Sequence, residues 1–140
     1  MAIDVVVTDE FVTWYEGLSE AEQDRVAFTI GLLEERGVTL PHPYSSALKG
    51  ASFALRELRT QAEGDPLRTL YAFDPSRQAV LLIGGDKTGD ARFYDRMIPI
   101  AERIWHEYLE ETGQEEVRRR LPRWRARLGE GRWRRTSGAS

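Results

Sequence analysis

The stretch that most constrains the fold is Ala79-Val80-Leu81-Leu82-Ile83-Gly84-Gly85-Asp86-Lys87-Thr88-Gly89-Asp90. Val80 to Ile83 predict a strand buried on both faces, because a half-exposed strand alternates apolar with polar residues. Such a strand belongs in the middle of a sheet. Gly84-Gly85 predicts a bend at its end, and Asp86-Lys87 marks where the chain meets solvent. Lys87 is then either a solvated turn residue or a cation delivered to a site. The glycines and Lys87-Thr88 do not form a nucleotide-binding loop, which needs a glycine immediately before the lysine and another five residues earlier.

A chain of 140 residues has room for one domain, which buries roughly two thirds of the surface it exposes when unfolded. Cysteine is absent, so disulfides and thiolate metal sites are excluded. Met1-Ala2-Ile3-Asp4-Val5 shows no basic segment followed by an apolar one, and no apolar run approaches membrane-spanning length; a cytoplasmic protein is expected. Charge is unevenly spread. Residues 114–140 carry nine arginines against three glutamates, a formal +6, which leaves −9 on residues 1–113 of a chain whose net charge is −3. This divides the chain into a domain over 1–113 and an arginine-rich extension over 114–140.

Ile3 to Val7 predicts a first strand, and Thr8-Asp9 a cap for the helix that follows. Phe11, Trp14, Tyr15 and Leu18 share one helical face. Ser19-Glu20-Ala21-Glu22 has the form of a capping box and starts a second helix through about Arg36, giving a hairpin able to lie on a sheet. The two prolines of Leu40-Pro41-His42-Pro43-Tyr44-Ser45-Ser46 predict a loop. Three strands follow: one from Phe53 through Arg59, one over Leu67 to Phe73, and the opening strand, joined by turns at Glu63-Gly64-Asp65-Pro66 and Asp74-Pro75-Ser76-Arg77. Met97, Ala101, Ile104 and Tyr108 predict a last helix, kinked at Pro99 or beginning near Ile98. In the extension, Val117, Leu121, Trp124 and Leu128 suggest a short amphipathic helix, with no regular structure expected from Gly129.

The ordered segments Leu48-Lys49-Gly50, Leu55-Arg56-Glu57-Leu58-Arg59, Arg68-Thr69-Leu70-Tyr71-Ala72-Phe73, Leu81-Leu82-Ile83-Gly84-Gly85-Asp86-Lys87 and Ile98-Pro99-Ile100-Ala101 resemble the RelE/ParE superfamily of type II toxins, in particular its phage-derived HigB-like branch. The resemblance covers about residues 3–111. It implies an α+β domain of order β-α-α-β-β-β-α, a helix hairpin on a mainly antiparallel sheet. It also implies a toxin that cleaves messenger RNA, usually on the ribosome, and is silenced by a helix-turn-helix (HigA-like) antitoxin. The implied chemistry uses no metal or other cofactor: a ribose 2′-hydroxyl attacks the neighbouring phosphate. The family's active groups fall on or near Arg59, Arg68, Lys87 and Tyr94.

That reaction needs a proton acceptor, a proton donor and cations around the phosphorane. Strand alternation puts Leu55, Glu57 and Arg59 on one face and Arg56 and Leu58 on the other. Arg59, Arg68 and Lys87 could surround a phosphate. Glu57 offers a carboxylate for proton abstraction or an inert salt bridge, and Tyr94 a proton donor, a stacking surface or a core tyrosine. His42 lies between prolines without a partner motif, His106 in the last helix, and the pair makes no metal site. Candidate RNA contacts are Lys49, Arg56 and, in the extension, Arg118, Arg119, Arg120 and Trp124, arginine for phosphate and tryptophan for stacking. The acidic body departs from the basic character usual in ribosome-dependent toxins. A non-catalytic relative that inhibits a protein such as gyrase, or an interaction module recruited by its tail, is the alternative.

Overall fold

The computed structural model describes residues 2–113 and the backbone of Arg134–Arg135. Among these residues, β1 (Val5–Val7), α1 (Asp9–Glu16) and α2 (Glu20–Arg36) are followed by β2 (Ser45–Ala47), β3 (Arg56–Ala62), β4 (Asp65–Phe73), β5 (Ala79–Asp86), α3 (Phe93–Tyr108) and β6 (Arg134–Arg135). They form one sheet of order β2-β3-β4-β5-β1-β6. The β2-to-β5 pairings are antiparallel, as a meander requires; the helix hairpin carries the chain from β1 across to β2 at the far edge, and the meander returns to set β5 parallel beside β1.

Caps fix the hairpin as the sequence predicts. Thr8 Oγ1 accepts from Phe11 N at 3.1 Å and donates to the Leu82 carbonyl at 2.7 Å, so one hydroxyl both starts α1 and ties it to the sheet. Ser19 and Glu22 make the reciprocal capping box of α2, at 3.1 and 2.9 Å. Thr60 of β3 donates to Thr29 of α2 at 3.0 Å within the buried interface.

The sheet separates two apolar layers. Phe11, Tyr15, Val26, Ile30 and Leu33 pack on Val5, Val7, Leu58, Tyr71 and Leu81 on the hairpin side. On the other side Phe93, Met97, Ala101, Ile104, Trp105 and Tyr108 of α3 pack on Val6, Leu70, Val80 and Leu82. β5 sends Ala79 and Leu81 into the hairpin layer and Val80 and Leu82 into the α3 layer, where Ile83 joins Leu82 across a register shift, so both faces are covered and the apolar run is unbroken.

Local expectations are corrected at several points. Gly84 and Gly85 do not bend the chain; β5 continues through them to Asp86. Their role is the missing Cβ: one added at Gly84 would lie 2.3 Å from the Trp14 ring, and one at Gly85 2.8 Å from Phe93. The glycines let a helix approach each face of the sheet. Ser45 and Ser46, read as loop, belong to β2, because the prolines precede them and leave their backbone free to pair with β3, whose own ladder begins at Arg56. α3 starts at Phe93 and carries Pro99 inside it, on its exposed side. The short strand at Arg134–Arg135 pairs with Val6 and Val7, so part of the segment expected to lack regular structure returns to the sheet.

Candidate active site

On the α3 side of the sheet, strand alternation sets Glu57 and Arg59 side by side, and register sets Arg59 directly across from Arg68. Two arginines opposed in an antiparallel pair repel each other. Glu57 relieves that repulsion. Its Oε2 accepts from Arg59 Nε at 3.0 Å and from the Ser46 hydroxyl at 3.3 Å, and its Oε1 lies 3.6 Å from Arg68 Nε. The last distance is an ion pair without a hydrogen bond, and Arg68 Nε, buried, has no hydrogen-bond partner. Arg68 Nη1 is held by the Leu67 carbonyl at 3.1 Å.

The fourth member arrives from α3. Tyr94 donates its phenol proton to Glu57 Oε1 at 2.5 Å, across 37 positions of sequence. Gly85 makes this possible: without a side chain opposite Arg68 it admits the Phe93 ring, which seats the start of α3 and brings the next residue over Glu57. Lys87 follows β5, its backbone N–H fixed to the Pro66 carbonyl at 3.0 Å, and its ammonium lies 5.4 Å from the Tyr94 ring centroid. The structure therefore brings Glu57, Arg59, Arg68, Tyr94 and Lys87 together.

Burial divides their roles. Glu57 is 1% exposed, so its carboxylate is a hub that orients neighbours. Arg59 and Arg68 keep 37% and 12% of their side chains accessible and form the surface that an anion would meet. Burial first, then the hydrogen bond to the Glu57 carboxylate and its charge, raises the Tyr94 pKa above its ordinary 10.0, with Arg68 opposing. The phenol is therefore a proton donor throughout the neutral range. Because native Tyr94 holds its proton more tightly than the unfolded chain does, the stability this gives is present below pH 10 and is lost as pH rises past the raised value. In an alkaline titration followed by tyrosinate absorbance, Tyr94→Phe should remove a late-titrating component.

The remaining expectations fall elsewhere. Arg56 points to the opposite, hairpin face, where its Nε donates to Ser45 Oγ at 3.1 Å and Ser45 in turn meets Tyr71. Lys49 is exposed in the loop between β2 and β3. Arg118, Arg119, Arg120 and Trp124 lie outside the described residues. His42, which the sequence leaves without a partner, stands 3.4 Å from Arg59 Nη1 through its Nε2. Only the pairing of this loop with β3 reveals it: Tyr44 O accepts from Arg59 N at 2.9 Å, so the histidine two residues before Tyr44 lies beside the arginine. Among the described residues no cluster of histidine and carboxylates is arranged to hold a metal ion, and no helix is long and apolar enough to cross a membrane.

Residues 13–106 match the family described as phage-derived protein Gp49-like (DUF891). Over 107 residues the chain is 40% identical to a Mycobacterium tuberculosis protein named "Putative toxin HigB3", covering 75% of this chain and 92% of that one. It is also 34% identical over 110 residues to "Putative toxin HigB2" of the same organism, covering 76% of this chain and 55% of that one. Among solved structures it is similar to an archaeal RelE–RelB complex from Pyrococcus horikoshii OT3, with TM-score 0.47 and 19% identity over 64% of this chain and 99% of that one. The chain belongs to the phage-derived Gp49-like family, together with the relatives named as HigB toxins.

Proposed function

We propose that the protein is the toxin of a type II toxin–antitoxin pair and acts as a metal-independent endoribonuclease on messenger RNA engaged by the ribosome. The observation that carries this reading is the pair of opposed arginines, Arg59 and Arg68, held by the buried Glu57 beside the neutral phenol of Tyr94. Fixed guanidinium groups suit a phosphate whose charge grows in the transition state.

In the reaction the ribose 2′-oxygen bonds to phosphorus as the bond to the 5′-oxygen breaks, leaving a 2′,3′-cyclic phosphate and a 5′-hydroxyl. No water is consumed. Arg59 and Arg68 stabilise the phosphorane, and Lys87 adds charge at the same end of the sheet. Tyr94 supplies the proton that the 5′-oxygen gains. Glu57, with both oxygens engaged and 1% exposed, orients the arginines and Tyr94 without touching the substrate. His42, exposed beside Arg59, takes the 2′-hydroxyl proton as general base. His42→Ala should then slow single-turnover cleavage by roughly 100-fold or more. A rate unaltered by the substitution would remove His42 from the mechanism.

The test of the activity is inducible expression in a bacterium without its antitoxin, with message ends mapped by primer extension. Growth arrest, new 5′-hydroxyl ends and cleavage by the purified protein in the presence of chelator are expected. Unimpaired growth with intact messages would reject the reading. Arrest with intact messages would instead support inhibition of a protein target. A helix-turn-helix antitoxin encoded beside the gene is the expected partner, and co-expression followed by pull-down checks it.

A further inference from the structure

A cleft of about 390 Å³ opens at the sheet edge where β2 ends, lined by Arg25, Phe28, Tyr44, Arg59, Gln61 and Arg68 among others. Its size falls within the ~300–1,000 Å³ range of small-ligand sites. The β2 ladder ends at Leu58, one backbone hydrogen bond from Arg59 N to Tyr44 O follows it, and the cleft lies against β3 from there to Gln61. The cleft consequently joins the arginines of the α3 side to residues of α2 on the other.

Three features give it a chemical character. Phe28 and Tyr44 are 61% and 42% exposed, and they are two of the three large apolar side chains exposed among the described residues. Both line this one cleft. The lining contains three arginines and no carboxylate, although residues 1–113 carry a net −9. Arg25 is fixed at the rim, its Nε donating to the Gln61 carbonyl at 3.2 Å. A flat apolar surface beside fixed cations matches a polymer that alternates aromatic bases with phosphates. An acidic protein segment would satisfy the arginines but leave two exposed aromatic rings without a flat partner.

We propose that this cleft is a nucleotide subsite: single-stranded RNA running from the scissile phosphate at Arg59 and Arg68 places an adjacent base against Phe28 and Tyr44, with the next phosphate on Arg25. The proposal rests on the ribonuclease reading and assigns the part of the protein that grips RNA beside the cut. It also removes a difficulty of charge, since binding depends on a locally basic cleft in an acidic body.

The test is binding of a fluorescent single-stranded RNA, methylated at every ribose 2′-oxygen so that it is not cleaved, to the purified full chain, read by anisotropy. Phe28→Ala and Tyr44→Ala should each weaken binding about 5- to 100-fold, and Phe28→Trp and Tyr44→Phe should retain it. Arg25→Ala should weaken binding at every sequence and reduce the salt dependence by about one phosphate contact. Because Phe28 and Tyr44 are exposed, their variants should melt with the parent protein.

Binding unchanged in both alanine variants while cleavage persists would overturn the subsite alone. Binding lost in those variants by a protein that cleaves nothing would uphold the subsite and reject the ribonuclease reading. A parent protein without affinity for RNA would overturn both. Alanine variants that bind RNA normally but fail to capture the antitoxin would make the cleft a protein dock, and would equally overturn the proposal.

Discussion

Arg68→Ala is expected to abolish growth arrest and to slow RNA cleavage by the purified protein roughly 100- to 1,000-fold, the usual effect of removing one fixed donor from a developing oxyanion. The size follows from where the guanidinium sits. Its side chain is 12% exposed, pinned by the Leu67 carbonyl, with an Nε that makes no hydrogen bond in the resting state. A donor buried without an acceptor costs free energy that an incoming phosphate oxygen would recover. Arg68→Lys keeps the charge but loses the planar fork, so it should restore only part of the rate. The same change removes one cation from the Glu57 hub, which retains Arg59, Ser46 and Tyr94, so the loss of stability should be about 1–3 kcal/mol and the variant should still fold. Circular dichroism checks the fold and single-turnover cleavage the rate. A folded Arg68→Ala protein that cuts at the parent rate would remove the arginine pair from the mechanism.

The second large effect concerns stability. Gly84→Ala places a methyl group 2.3 Å from two carbons of the Trp14 ring, well inside contact distance, on a strand whose neighbours on both sides are paired. Either α1 lifts from the sheet or Trp14 leaves its position, and a cost of about 3 kcal/mol is expected. For a chain of this size that is a fall of about 10 °C in Tm by calorimetry. An Ala variant that melts with the parent would show that Trp14 swings away freely. Gly85→Ala meets Phe93 at 2.8 Å and should act differently. By displacing the start of α3 it moves Tyr94 from Glu57, so activity should fall further than stability.

Much of the cluster was legible in the sequence because it depends on a period of two. The alternation along Leu55 to Arg59 puts Glu57 with Arg59 and sends Arg56 to the other face, and the structure has that arrangement. The unbroken apolar run Val80 to Ile83 likewise identified the strand covered on both faces. What escaped was non-local or ambiguous in kind. A glycine pair has the same letters whether it supplies a bend or an absent Cβ, and only the ring of Trp14 on one side and of Phe93 on the other distinguishes the two. The Tyr94-to-Glu57 hydrogen bond and the approach of His42 to Arg59 depend on how α3 and the proline loop dock, which no local spacing encodes. The resemblance supplied Tyr94 as a candidate, but not its partner.

The parallel pairing of β1 with β5 bears on when such a protein becomes dangerous during its own synthesis. Thr8 and Leu82, which join α1 to the central strand, are 74 positions apart, and Glu57 meets Tyr94 only once α3 exists. Long-range parallel pairing is slow to form, since its loop-closure entropy precedes its reward. A nascent chain emerging from the ribosome therefore carries its arginines early and its assembled site late. On the proposed function, timing of this kind leaves the antitoxin an interval in which to meet an unfinished toxin.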